Sequence, residues 1–392
     1  MSATSVLPAI LSVLVALGTA AALGRRIGVA PLADRFATID GLRGYLAFLV
    51  FVHHACIWHF YARTGDWSLP PSALYTHFGQ ASVVLFFMIT AFLFFNKLLE
   101  GRTRSVDWLR LFVSRVFRLV PLYAVMMGLL LLIVAWLSDF TLRATPSELF
   151  ANVSRWLLFT VSGSPDLNRV EGTMLIVAGV TWSLPYEWLF YLSLPLIAIG
   201  MRTPVSWHYV ALGVIGAMGM MAFWKPHSIY LLAFGGGILA SVAAKSSRIR
   251  TIAGGALGTG VVIASLVTLV TAFPDSKGHA QVLLLALVFV PIACGNGLFG
   301  LLTHRHSRAL GEMAYGLYLL HGILLFVVLR LLVGPSRVAS WSPVFYWGMI
   351  LLLTPVLVSL CAVAFVRVER PAMRQVRGAT AALRRLTNGG ER

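Results

Sequence analysis

The chain has 392 residues, 58% hydrophobic and only 11% charged, with 31 Lys and Arg against 14 Asp and Glu for a net charge of +17. A soluble domain carries about 25% charged residues, so this composition excludes soluble globular folds, disorder and coiled coils, and three cysteines cannot make a disulfide scaffold. What remains is an all-α polytopic membrane protein whose surplus positive charge marks its cytoplasmic loops, so the basic balance requires no nucleic-acid partner.

Apolar runs of about 20 residues, enough to cross a bilayer, fall near 5–24, 44–61, 79–98, 116–137, 180–200, 207–224, 227–244, 251–272, 280–301, 310–332 and 344–366. Eleven transmembrane helices are therefore expected. The first run has no basic residue before it and Arg25-Arg26 directly after it. That order reads as an N-out anchor helix, since a cleavable signal peptide carries its basic residues in front. With the N-terminus outside, segments 25–43, 97–118, 201–206, 245–250, 303–309 and 367–392 are cytoplasmic and hold 23 of the 31 Lys and Arg. The positive-inside rule demands a bias of this direction, and it leaves the C-terminus in the cytoplasm.

Two segments are more than connectors. The outer stretch 138–179 contains ELFANVSRWLLFTVSG, too short and polar to span, and is expected to lie at the interface or re-enter the bundle beside an outer cavity. The tail RVERPAMRQVRGATAALRRLTNGGER is basic with scattered apolar residues and is expected to rest on anionic lipid headgroups. Cys56, Cys294 and Cys361 each sit in an apolar run without metal-ligand spacing and read as small buried residues. No phosphate loop, HExxH or GxSxG motif occurs, and no metal is expected. The chain divides into an anchor helix and linker (1–35), a transmembrane domain (36–371) and a basic cytoplasmic tail (372–392).

Ionisable groups at membrane depth are expensive, which makes each a functional candidate. In DGLRGYLAFLVFVHHA, Arg43 and His54 are eleven residues apart, within about 20° of one helical face and about 16 Å along the axis. His53 points about 80° away, and it and His59 read as packing histidines. Glu187, in TWSLPYEWLFYLSLPL, is the one acid deep within a span, about 10 Å below its outer end. Pro185 is expected to kink that helix. His321 reaches a similar depth from the other side, so His54, Glu187 and His321 are expected to share one central polar site. Arg115 and Arg118 stand i,i+3 at the cytoplasmic end of the fourth span. With Arg43 they would present three guanidiniums, which suit a phosphate-bearing ligand. Such an arrangement fits group transfer across the membrane from a phosphorylated donor. It fits a proton-coupled transporter equally, and residue chemistry leaves both open.

The motifs FATIDGLRGYLAFLVFVHH, SRVFRLVPLY, TWSLPYEWLFYLSLPL, LGEMAYGLYLLH and VERP resemble, in order, signatures of the acyltransferase 3 family over roughly residues 36–371. Members are integral-membrane O-acyltransferases that modify bacterial surface polysaccharide, lipopolysaccharide O-antigen, Nod factors and some secondary metabolites. The resemblance implies a bacterial inner-membrane enzyme that moves an acyl group, most often acetyl, from cytoplasmic acyl-CoA to a glycan or glycolipid hydroxyl. No bound cofactor is implied, because acyl-CoA is the donor substrate. By resemblance the family's Arg-x10-His pattern maps onto Arg43 and His54, its RxxR element onto Arg115 and Arg118, and its WSLxxE element onto Trp182, Ser183 and Glu187. The three arginines would hold the CoA phosphates, and His54 and Glu187 would be the catalytic pair. Trp182, Ser183 and His321 would bind substrate. Whether His54 acts as a base or carries the acyl group stays open. The first helix is extra to the common ten-helix core, and FFMITAF stands where Ser-Gly-Phe is more usual.

Overall fold

The fold was read from a computed structural model, which describes residues 2–28, 36–102 and 105–388. The expected linker at 29–35 and the tail end at 389–392 lie outside the described residues. Lipid offers peptide groups no water, so the apolar runs satisfy their backbone within helices. In chain order these are α1 (Val6–Ile27), α2 (Ala37–Thr64), α3 (Ala73–Glu100), α4 (Trp108–Leu137), α5 (Pro146–Leu157), α6 (Thr173–Ile176), α7 (Leu184–Gly200) and α8 (Trp207–Phe223). There follow α9 (Ser228–Ala243), α10 (Ser247–Gly254), α11 (Ala256–Ala272), α12 (His279–Ala293), α13 (Arg305–Glu312), α14 (Ala314–Leu325), α15 (Pro335–Ser340), α16 (Pro343–Ala364) and α17 (Arg370–Asn388). Among the described residues the one β feature is an isolated bridge between Leu167 and Val170.

Among the described residues six helical stretches are long and apolar enough to cross a membrane: Val6–Gly24, Ala37–Thr64, Ala73–Glu100, Trp108–Leu137, Ala314–Val333 and Pro343–Leu386. The count is seven if α9 and α10, bent by 110°, form one broken span. Eleven full-length spans are thus not reached. α7, α8 and α11 have 17 residues and α12 has 15, about 22–26 Å against a hydrocarbon core of about 30 Å. The apolar runs are longer than the helices because backbone breaks shorten them. A 3-10 turn at Val180–Ser183 precedes α7, and Gly295 with φ +104° follows α12. Leu132, Ile215, Leu283 and Leu352 are exposed on the bundle's exterior, a surface that suits lipid tails rather than water. The protein is a multi-pass membrane protein.

Polar contacts gather the helix ends into two layers. In one, Tyr75 Oη donates to Ser5 O (2.9 Å), Trp347 Nε1 to Ala3 O (2.9 Å) and Arg63 to Trp341 O (2.6 Å). In the other, Thr38 donates to Ile292 O (2.8 Å), Thr203 to Leu98 O (3.4 Å), and Arg384 pairs with Asp107 (2.6 Å). α1 presents Ala9, Ser12, Ala16 and Ala20, all buried; α1 packs against α16 and α13, and small side chains let helices approach closely. α2 and α13 come nearer still, for a Cβ on Gly44 would lie 2.6 Å from the Gly311 nitrogen. The glycines of DGLRG and LGE are therefore contact points between backbones. All three cysteines are buried and unbridged.

The outer segment divides into a surface piece and a re-entrant piece. ELFANVSRWLLFTVSG contributes α5, a surface helix capped by Thr145 on Glu148 N (3.3 Å), and Tyr123 Oη donates to Trp156 O (2.5 Å). The piece that re-enters the bundle is 173–183, where Val177 is fully buried and a Cβ on Gly322 would clash with the Val177 backbone. At the C-terminal end α16 runs through a π turn (Phe365–Glu369) into α17 without interruption, and α17 packs on α4.

Candidate active site

Two polar centres occupy the bundle. The first is a histidine pair on α2 and α14. His54 Nδ1 lies 3.0 Å from Val50 O and 3.0 Å from His321 Nε2, and His321 Nδ1 lies 2.8 Å from Leu317 O. A carbonyl oxygen only accepts, so each Nδ1 carries a proton. His321 Nε2 then offers its lone pair to His54, and His54 Nε2 is left with a lone pair of its own. The rings lie 28° from parallel with centroids 5.0 Å apart. His321 is fully buried, whereas His54 is partly accessible and has Trp67 stacked above it at 6.2 Å. His53 binds Tyr75 O through Nδ1 (2.7 Å), tying α2 to α3, and His59 packs edge-on against Tyr346. Both act in packing.

The second centre is a cavity of about 380 Å³ whose walls include Arg43, Arg115, Arg118, Ser183, Glu187 and Tyr318. The three arginines from separate motifs do converge. Glu187 stands in the first turn of α7, where the helix N-terminus favours a carboxylate. Tyr191 Oη donates to Glu187 Oε2 (3.2 Å) and Thr90 Oγ1 approaches its Oε1 (3.5 Å). Pro185 lies in that same first turn, where its missing N–H has no helical partner to lose, so it starts the helix and does not kink it. Arg115 is held over the rings of Phe94 (4.8 Å) and Tyr191 (5.9 Å). Arg118 Nη1 pairs with Glu369 Oε2 at 2.8 Å, with Glu369 1% exposed. The other Glu369 oxygen is buried without a hydrogen bond.

The single central site expected for His54, Glu187 and His321 is therefore two sites. Glu187 shares the cavity wall with the arginines, and no hydrogen bond joins it to His54 or His321 among the described residues. His321, expected to bind substrate, instead binds His54. Ser183 lines the cavity, its Oγ 2.8 Å from Tyr318 Oη, which donates to Val180 O at 3.0 Å. Trp182 lies outside the cavity lining, 40% exposed, against Tyr230 and Tyr186. Tyr318 separates the two centres: it lines the cavity and its ring is 6.5 Å from His321. Motif reading overlooked Tyr318, Tyr191 and Glu369. The first two had a usable signal, standing i,i+3 from His321 and i,i+4 from Glu187 on one helical face. Among the described residues no group of three or more His, Cys, Asp or Glu could hold a metal ion.

Neither a curated protein nor a solved structure matches the chain. Residues 36–366 match the family model described as "Acyltransferase domain", that of the acyltransferase 3 family. That match covers all of both polar centres except Glu369 and its neighbours on α17, and it leaves out α1 and the tail helix. With most of its length matched, the chain belongs to the acyltransferase 3 family and is a membrane acyltransferase.

Proposed function

We propose that the protein is an O-acyltransferase that takes an acyl group, acetyl as the leading case, from acyl-CoA. The acceptor is a hydroxyl of a cell-envelope or exported glycan such as O-antigen or exopolysaccharide. The observation that carries this reading is the His54–His321 pair, which leaves one uncharged, partly accessible imidazole nitrogen. An imidazole of that kind is the usual general base for a hydroxyl. His54 Nε2 takes the acceptor proton as the hydroxyl oxygen forms its bond to the thioester carbonyl carbon. The C–S bond then breaks, and the CoA sulfur leaves with the proton that His54 gives back. The ester and free CoA are the products, so atoms and charge balance.

His321 is a positioning residue in this scheme, because it holds the His54 tautomer and ring plane. Arg43, Arg115 and Arg118 would meet the donor's phosphates, for which guanidinium forks are suited. Glu187 and Ser183 would orient the thioester end, and Trp182, with an exposed aromatic face, would stack on the sugar. The enzyme would sit in the bacterial inner membrane with its C-terminus in the cytoplasm, the side on which acyl-CoA is made.

Proteoliposomes loaded with labelled acetyl-CoA and given acceptor glycan outside test this directly. Wild type should place label in an ester on the glycan, and His54→Ala should not, while remaining folded and inserted. Movement of intact acetyl-CoA or acetate without ester formation would make the protein a carrier and defeat the proposal.

A further inference from the structure

A second and larger hollow lies outside the cavity just described. It has a volume of about 660 Å³ and opens between the end of α3, the start of α4 and α17. Lys97, Arg110, Arg115, Arg374 and Arg377 line it, against two carboxylates, Glu100 and Asp107. Asp107 is already paired with Arg384 at 2.6 Å. Among the described residues no carboxylate forms a salt bridge with Arg110, Arg374 or Arg377, and all three are exposed.

The cations follow a pattern. On α4, Arg110, Ser114 and Arg118 recur every four residues; on α17, Arg370, Arg374 and Arg377 recur at four and three. Each set forms one stripe along its helix. The ion pairs 118–369 and 107–384 show that the two helices run antiparallel in contact, so the stripes face the same groove. Arg115 and Met373 line both the outer hollow and the inner cavity. The two spaces therefore join into one basic track, about 12 Å from the level of Arg110 to that of Arg118.

We propose that this outer hollow binds the outermost part of a ligand head bearing two or more phosphates, whose innermost phosphate reaches Arg115 and the inner arginines and whose narrower remainder continues into the inner cavity. The inference rests on the acyl-transfer reading for its biological meaning, but not for its chemistry. Several fork-shaped cations around a concave site match clustered phosphate oxygens, and a track open to the interior suits a long molecule with charge at one end. α17 is then a wall of a donor site and not merely a membrane-resting tail.

Phosphate-rich ligands come from two sources, a soluble donor head or a lipid headgroup, and the experiment separates them. Binding of labelled coenzyme A is measured to the full chain in phosphatidylcholine nanodiscs, for wild type and the double variant R374Q/R377Q. Both positions are exposed, and a thermal melt checks the fold. The expected result is affinity weakened by about tenfold or more, relieved competition by pyrophosphate, and a raised KM for acyl-CoA with kcat unchanged. Unaltered coenzyme A binding overturns the proposal. If only retention of cardiolipin falls, in discs containing it, the site is a lipid site and the donor track is likewise overturned. Failure is distinguishable from failure of the proposed reaction. Wild type that binds coenzyme A through these arginines but acylates no hydroxyl sinks the reaction alone, whereas acyl transfer with an unchanged KM in the double variant sinks the site alone.

Discussion

The histidine pair and the arginine cavity lie on either side of Tyr318, yet they manage polarity in opposite ways. The pair contains no fixed charge: two imidazoles and two backbone carbonyls satisfy one another, and one nitrogen is left over. The cavity is full of charge, with Arg43, Arg115, Arg118 and Glu187 on its walls and Arg118 neutralised by a buried Glu369. Neutral groups are inexpensive to bury once hydrogen-bonded, whereas isolated charges are not. A neutral base beside a charged holding site is the division of labour that group transfer needs, since the proton-accepting atom must stay unprotonated while the donor's anionic part is gripped elsewhere.

If that contrast is right, the two regions respond differently to mutation. The largest effect belongs to His54→Ala, expected to cost about 10²–10⁴-fold in transfer rate, the range for a lost general base. Single-turnover ester formation measures it, and a loss under tenfold would remove His54 from the chemistry. Next comes Arg118→Gln, which leaves Glu369 buried without its partner and should destabilise the fold by about 3–5 kcal/mol. Adding Glu369→Gln should recover most of that stability in a detergent melt. No recovery would mean that the ion pair is incidental to folding.

A smaller loss, about 10–100-fold in rate, is expected for His321→Ala, by analogy with removing an outer partner that orients a liganding imidazole. His321→Gln should restore part of it, because the amide oxygen can accept from His54 Nδ1–H; equal damage from both substitutions would make His321 purely structural. Tyr318→Phe removes one hydrogen bond to Val180 O and one partner of Ser183, each worth about 1 kcal/mol. It should lower stability modestly and leave the His54 pH profile unmoved. Least of all, Trp182→Ala should raise the acceptor KM by about 2–10-fold, the value of a lost aromatic stack, with the donor KM unchanged.

Much of this organisation was legible in the chain. Composition alone required a helical membrane protein, because no water is available to a spanning backbone, and the ordered motifs from DGLRG to VERP led to the family. Arg43, Arg115 and Arg118 were expected together and are together. The spacing did not give the neighbours of Glu187, which are Tyr191, Thr90 and the arginine-lined cavity, because position along a helix does not say which other helix faces it. Among the described residues six or seven of the eleven expected spans reach full length, because hydropathy measures how long a run stays apolar, while Gly295 and the 110° bend after α9 set how long it stays helical.

Residue identity, through hydropathy, charge and motif spacing, determined that the protein spans a membrane, where its cations cluster and which side chains are candidates for chemistry. Only the tertiary structure decided their partners: His321 with His54, Glu369 with Arg118, α17 with α4. The pairs lie 251 to 277 residues apart in the chain. Sequence periodicity reports which face of its own helix a residue occupies and says nothing of the helix that faces it, because that choice is made by packing among all of them at once.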